Sequence, residues 1–158
     1  MNLIKVGTGE KVEASIEQLG VQEVMRLRGN KKFLFDWSTE AGNEVYRISL
    51  AGETDILGLI SLADVSEELR IHINLIESSK ENKGNTKQYD HIPGCLIGFA
   101  CQLAFEKGYD GFVSLVAKTK LIDYYRNKFG FFPMGTHMVV FAVSAQEIII
   151  KYLKHEEI

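Results

Sequence analysis

The chain is poor in cysteine: its 158 residues include two, Cys95 and Cys101. They stand six apart in an apolar stretch. That places them on different sides of a helix and matches neither a zinc-ligand spacing nor a disulfide framework. Both read as buried thiols of a cytoplasmic protein, and no metal site is expected. A basic excess is also missing. Lys and Arg number 18 against 21 Asp and Glu, a net charge of −3 with both signs interspersed. This argues against nucleic-acid binding, which needs a dominant basic face. The densest basic run, Arg26 to Lys32 (RLRGNKK), reads as a solvated helix end and turn. No apolar run approaches the roughly 20 residues of a membrane span, and no apolar segment follows a basic start as in a secretory signal. Repeats, low-complexity tracts and linkers are absent from the sequence. What is left, 46% hydrophobic and 25% charged, describes one globular domain over 1–158 that can bury a core without staples.

The stretch from Leu69 to Ala104 organises the rest. It reads as a strand, a polar loop and an apolar helix whose first turn follows Gln88-Tyr89-Asp90-His91-Ile92-Pro93-Gly94. A strand feeding a helix N-terminus through such a loop can hold a phosphate, because unpaired N–H groups and the positive end of the helix dipole converge there.

Before that stretch, Asn2 to Val6 is a strand candidate. The Gly7-Thr8-Gly9 after it is a turn, since Val12 stands where a dinucleotide loop needs its third glycine. Val12, Ile16, Leu19, Val24 and Leu27 predict a helix over Lys11 to Leu27, broken near Gly20. Phe33 to Trp37 (FLFDW) is an aromatic cluster read first as core, with a role as the wall of an acceptor pocket as the alternative. Three strands follow: Glu44 to Leu50, Ile56 to Ala63 and Leu69 to Ile76. The middle one is apolar enough to be covered on both faces; the outer two alternate. Turn-length connections make them an antiparallel meander. Ser78 to Gln88 is a long, polar, flexible loop. The helix from Pro93 to Lys107 has proline where its missing N–H does no harm. It buries Leu96, Ile97, Ala100, Leu103 and Ala104, with Gly98 allowing close approach to a sheet, and ends at Gly108. Phe112 to Ala117 is a strand parallel to the one beginning at Leu69, because a strand–helix–strand crossover joins them. Thr119 to Phe129 is an amphipathic helix, Met138 to Ala142 a strand and Gln146 to Lys154 a terminal helix.

From Tyr46 to Val143 this succession, with its phosphate loop and its Tyr125-x4-Gly130-Phe131 run, resembles the GNAT superfamily of N-acetyltransferases. The resemblance implies an α/β (α+β) fold: a mixed, mostly antiparallel central sheet flanked by helices, with one parallel β-α-β crossover. The family's signature Gln/Arg-x-x-Gly-x-Gly/Ala falls on Gln88, with His91 and Pro93 at its small-residue positions and Leu96 and Ile97 at the apolar pair that follows. A second register ends at Gly94 and starts at Tyr89. The later motif falls on Lys118, Leu121, Tyr125 and Gly130-Phe131, with lysine where the family usually has asparagine.

The resemblance implies acetyl-CoA as co-substrate and direct transfer of its acetyl group to a small-molecule or peptide amine. Gln88, Tyr89, Asp90, His91, Ile92, Pro93, Gly94 and Cys95 would hold the pyrophosphate, helped by Lys83, Lys87 and His91 as nearby positive charge. Leu75, Ile76 and Glu77 would line the pantetheine, and Lys118 would contact phosphate or carbonyl. Tyr125 would protonate the leaving sulfur, with Tyr124 as the alternative. Glu77 is the candidate base, on the expectation that partial burial raises its pKa. His72 and Asn74 either meet an acceptor or face water, and His137 carries no motif. Because His91, Pro93 and Lys118 depart from the family pattern, the runner-up reading is a catalytically degenerate CoA- or acyl-carrier-binding module. The strand edges of such a sheet also leave room for a homodimer.

Overall fold

A computed structural model describes residues 1–154. Nine strands form one mixed sheet. In chain order they are β1 (Asn2–Lys5), β2 (Lys11–Gln18), β3 (Glu44–Leu50), β4 (Gly58–Val65), β5 (Arg70–Ser78), β6 (Tyr89–Asp90), β7 (Val113–Leu115), β8 (Phe132–Met134) and β9 (His137–Val140). Their order across the sheet is β6-β1-β2-β3-β4-β5-β7-β9-β8. The helices are α1 (Val21–Met25), α2 (Ile92–Glu106), α3 (Ile122–Phe129) and α4 (Ala142–Ile149), the last running on into a wider π-type turn over Ile150–Lys154. The chain divides into two compact units, Met1–Ser61 with Leu75–Leu96, and Leu62–Asn74 with Ile97 onward. The divisions fall inside β4, β5 and α2.

In the first unit, β2 pairs antiparallel with β1 (Leu3 opposite Val12) and with β3 (Ile16 opposite Ile48). The helix expected over Lys11 to Leu27 is therefore a strand followed by one short helix. Val12 and Ile16 are four apart, which suits a helix, but with Ala14 they also alternate. The β-branched residues and two available partner strands decide for β. Leu19, Val24, Phe33, Trp37, Val45 and Leu59 form the buried core of this unit. Trp37 is fully buried, with the Phe33 ring edge-on at 6.4 Å. Leu34 and Phe35 are exposed, so only part of the aromatic cluster is core.

Close approach of α2 rests on Gly58 of β4. A Cβ there would lie 2.7 Å from Ile92 Cγ2, 3.2 Å from Ile48 Cγ2 and 3.3 Å from Leu96 Cδ1. Gly58→Ala is expected to destabilise the protein by about 1–3 kcal/mol through overpacking, read as a lower urea midpoint at unchanged slope. Gly98, expected to face the sheet, instead faces the C-terminal helix: its Cβ position is 3.3 Å from Leu153 Cγ and 3.7 Å from the Ile148 carbonyl.

In the second unit, β5 and β7 run parallel with Ile71, His72 and Ile73 opposite Val113, Ser114 and Leu115. The crossover through α2 requires this direction. β7 pairs antiparallel with β9, and β9 with β8 through a tight turn at Gly135 and Thr136, where Gly135 has φ +63°. β8 was not expected from Phe132-Pro133-Met134. Proline removes a ladder donor, which an edge strand tolerates on its open side.

Candidate active site

The expected phosphate loop lies wholly in the first unit, and it is pinned rather than flexible. The Ser79 N–H donates to the Leu57 carbonyl at 2.9 Å and the Lys80 N–H to the Lys32 carbonyl at 2.9 Å. Asn82 is buried; its Nδ2 donates to Ser79 Oγ, and its Oδ1 accepts from the Tyr89 N–H at 2.9 Å. The Gln88 N–H donates to the Glu81 carbonyl at 3.0 Å, while the Gln88 carbonyl accepts from Val6 N–H at 2.9 Å. Tyr89 and Asp90 then pair with Lys5 and Ile4 of β1. A buried asparagine and a short edge strand thus replace the disorder that eleven polar residues in a row suggest (Ser78 to Gln88).

At the end of this segment His91 has φ +79°, the left-handed region that favours glycine. Its N–H donates to Asp90 Oδ1 at 2.9 Å, and its carbonyl accepts from Cys95 N–H at 2.9 Å as the first helical bond. Ile92 and Gly94 therefore contribute first-turn N–H groups outside the helical ladder, and Pro93 contributes none. His91 stands at the signature's first glycine position, and its backbone has a glycine's conformation. His91→Gly is expected to raise stability by about 0.5–1 kcal/mol by relieving that strain. A fall in the urea midpoint would show that imidazole contacts outweigh it.

The nearby lysines are committed to internal partners. Lys87 Nζ lies 3.1 Å from Asp90 Oδ1, and Lys83 Nζ 2.6 Å from Glu77 Oε2. Burial raises the Asp90 pKa, but Lys87 and the His91 N–H outweigh it, and the group ends below its ordinary value. Cys95 and Cys101 are buried, and burial pushes both thiols up to about 12. Neither can supply a thiolate nucleophile near neutral pH.

Glu77 corrects an expectation. Its buried carboxylate accepts from the Leu34 N–H at 2.6 Å, the Phe35 N–H at 3.3 Å, Trp37 Nε1 at 2.9 Å and Lys83 Nζ at 2.6 Å. Burial alone raises its pKa, yet Lys83, Leu34, Trp37 and Phe35 together bring it below the ordinary glutamate value. The raised pKa expected of a base is reversed, because every donor favours the ionised form. Leu75 and Ile76 beside it are half-buried, and the parallel β5–β7 register ends at Ile73, short of all three.

In the second unit, Tyr125 is buried against Tyr124, Phe129 and Phe131, with ring centroids 5.2, 6.4 and 5.9 Å away. Burial raises its pKa. The Tyr125-x4-Gly130-Phe131 run is a helix terminator. Gly130, at φ +76°, donates to the Arg126 carbonyl at 3.0 Å, and the Phe131 N–H donates to the Tyr125 carbonyl at 3.3 Å. The Tyr125–Phe131 ring contact completes this motif. Tyr124 is partly exposed. Lys118 is exposed and precedes a short helical turn at Thr119–Leu121, its carbonyl accepting from Leu121 N–H at 2.8 Å.

Reading the sequence missed two arrangements: the four donors on Glu77, and a cluster of Arg70, His72 and Ser114 on β5 and β7. Only the parallel register, which sets His72 opposite Ser114, could have signalled the second. Among the described residues, no group of three or more His, Cys, Asp or Glu is placed to hold a metal, and no helix is long and apolar enough to cross a membrane.

No family model and no curated protein matches the sequence. Solved structures do match the fold. Mutant forms of the spermidine/spermine N-acetyltransferase SpeG from Vibrio cholerae superpose with a TM-score of 0.59 at 12% identity, covering 92% of this chain and 99% of that one. The IAA acetyltransferase from Bacillus cereus gives 0.55 at 15% identity over 78% and 79%. AtaTR bound with AcCoA gives 0.57 at 12% identity over 85% and 96%. With the mostly antiparallel nine-stranded sheet and its single parallel crossover, this establishes the fold. The chain has the GNAT acetyltransferase fold.

Proposed function

We propose that the protein is an acetyl-CoA-dependent N-acetyltransferase that passes the acetyl group directly to a small-molecule or peptide amine in the cytoplasm. The observation that carries this reading is the φ of +79° at His91, immediately before a long buried helix. A non-glycine residue at the signature's first glycine position is held in the left-handed conformation that favours glycine, at a cost of roughly 1 kcal/mol. Gln88, Tyr89, Asp90, His91, Ile92, Pro93, Gly94 and Cys95 would form the phosphate cradle through main-chain N–H groups rather than lysine charge. Leu75 and Ile76 would line the pantetheine, and Lys118 would meet phosphate or carbonyl. Tyr125, kept protonated by burial, would give its proton to the departing thiolate. We assign Glu77 to holding the segment from Leu34 to Trp37 rather than to base catalysis. The exposed side chains of Leu34 and Phe35 would then offer an apolar surface to the acceptor.

A second reading, a CoA-binding module without turnover, is favoured by Pro93 and by the pairing of Lys83 and Lys87 with Glu77 and Asp90. Thermal melting with acetyl-CoA, followed by thiol release across a broad amine panel, separates the two. Stabilisation with thiol release supports the transferase. Stabilisation without it supports the module, and neither response refutes both.

A further inference from the structure

On the second unit, one sheet face carries a pocket of about 340 Å³ that the transferase reading does not use. Its polar wall is Glu68, Arg70, Ser114 and His137; its apolar wall is Phe112, Met134 and Val139. Strand register builds it. Arg70 and His72 share one face of β5, Ser114 lies opposite His72 on β7, and Ser114 is also opposite Val139 on β9. Arg70 Nη1 donates to the buried Ser114 Oγ at 2.6 Å, and Ser114 Oγ lies 2.8 Å from His72 Nδ1. Because the serine oxygen accepts from arginine, its proton is assigned to His72 Nδ1, which leaves His72 neutral with its proton on Nε2. Burial, then Arg70 and His137, lowers the His72 pKa and favours the same neutral form. The His137 ring stands edge-on to His72 at 5.5 Å.

The donor count leaves capacity for a ligand. Of the five guanidinium N–H groups, Glu68 Oε1 takes Nε and one on Nη2, at 3.1 and 2.6 Å. Ser114 takes one on Nη1, and His72 Nδ1 lies within 3.2 Å of the same nitrogen. At least one N–H remains for a ligand. Among the described residues Glu68 is the only carboxylate lining the pocket, so Arg70 is neutralised once. An amine would meet the guanidinium. Inorganic phosphate would leave Phe112, Met134 and Val139 against its hydration shell. A planar carboxylate on an apolar body satisfies both walls, since arginine's fork matches its geometry.

We propose that this pocket binds a small organic carboxylate, with Arg70 and His137 holding its oxygens, Ser114 orienting Arg70, and the body lying on Phe112, Met134 and Val139. This does not depend on acetyl transfer. The carboxylate can be a free acid or the acid group of an amine acceptor. Calorimetric titration of the full chain with phenylacetate is expected to show saturable binding at about 1 mM or tighter. Phosphate and phenethylamine are expected to bind at least ten-fold more weakly. Arg70→Lys keeps the charge but loses the fork, and is expected to weaken phenylacetate at least ten-fold; His137→Gln, at a half-buried strand end, is a second variant whose melting temperature checks folding. Phenylacetate binding tighter than phenylalanine marks a free acid, and phenylalanine binding tighter with its amide inactive marks an acceptor; both support the carboxylate site. No phenylacetate binding, phosphate binding equally well, or unchanged affinity in both folded variants overturns it.

Discussion

Replacing Glu77 by alanine is expected to destabilise the protein by about 3–5 kcal/mol, the cost of breaking a buried ion pair by removing one partner. The carboxylate is buried and accepts from the Leu34 and Phe35 N–H groups, the Trp37 indole and the Lys83 ammonium. Alanine leaves four donors without their acceptor, each in a place that water reaches poorly. Trp37, the largest fully buried side chain of its core, would lose its indole partner at the same time. Urea unfolding at neutral pH measures the loss. The pH dependence has a definite sign. Glu77 titrates below its ordinary value of 4.5 in the folded state. Its contribution is therefore complete above about 4.5 and disappears as pH falls through the lower, folded value. The wild type should lose more stability than Glu77→Ala between pH 5 and the acid transition. A loss under about 1 kcal/mol in Glu77→Ala, with turnover abolished in Glu77→Gln, would instead return Glu77 to the role of base.

Tyr125→Phe is expected to lower kcat by about 10²–10³, within the range of a lost general acid, while acetyl-CoA affinity changes little. A hundredfold loss corresponds to about 2.7 kcal/mol in the transition state. Stability should stay close to wild type, because the ring contacts with Phe129 and Phe131 remain. That separation distinguishes chemistry from packing. The raised pKa keeps Tyr125 protonated beyond pH 10, so no falling limb in the rate profile below that pH should come from this residue. Steady-state kinetics and a CoA titration on the two proteins decide it. If Tyr125→Phe keeps full turnover and Tyr124→Phe does not, the proton comes from the partly exposed neighbour.

Features with a local cause were legible in the sequence. The alternation of Arg70 to Leu75 made β5. The apolar run from Ile92 to Ala104 made α2, and the crossover between β5 and β7 had to be parallel. Gly130, directly before the phenylalanine that packs on Tyr125, ended α3 as an αL cap must. Positions where a local pattern fits two structures were not legible. Val12, Ala14 and Ile16 suit helix or strand, and only pairing with β1 and β3 chose. Phe132 to Met134 holds a proline that only an edge position can accommodate.

At the candidate site the division is the same. The sequence by itself determined the GNAT-like succession, the turn into a helix at Gln88 to Cys95, where we propose the phosphate is held, and the helix carrying Tyr125, because periodicity, glycine and proline act within a few residues. Tertiary structure alone decided that His91 adopts a glycine's backbone and that Lys83 and Lys87 are already paired. It also decided that Glu77 is an ionised anchor and that Arg70, Ser114 and His72 form one network. Protonation state and pairing depend on which distant groups fold against a side chain, and burial and donor count there follow from the packed whole rather than from the residue's own neighbours in the chain.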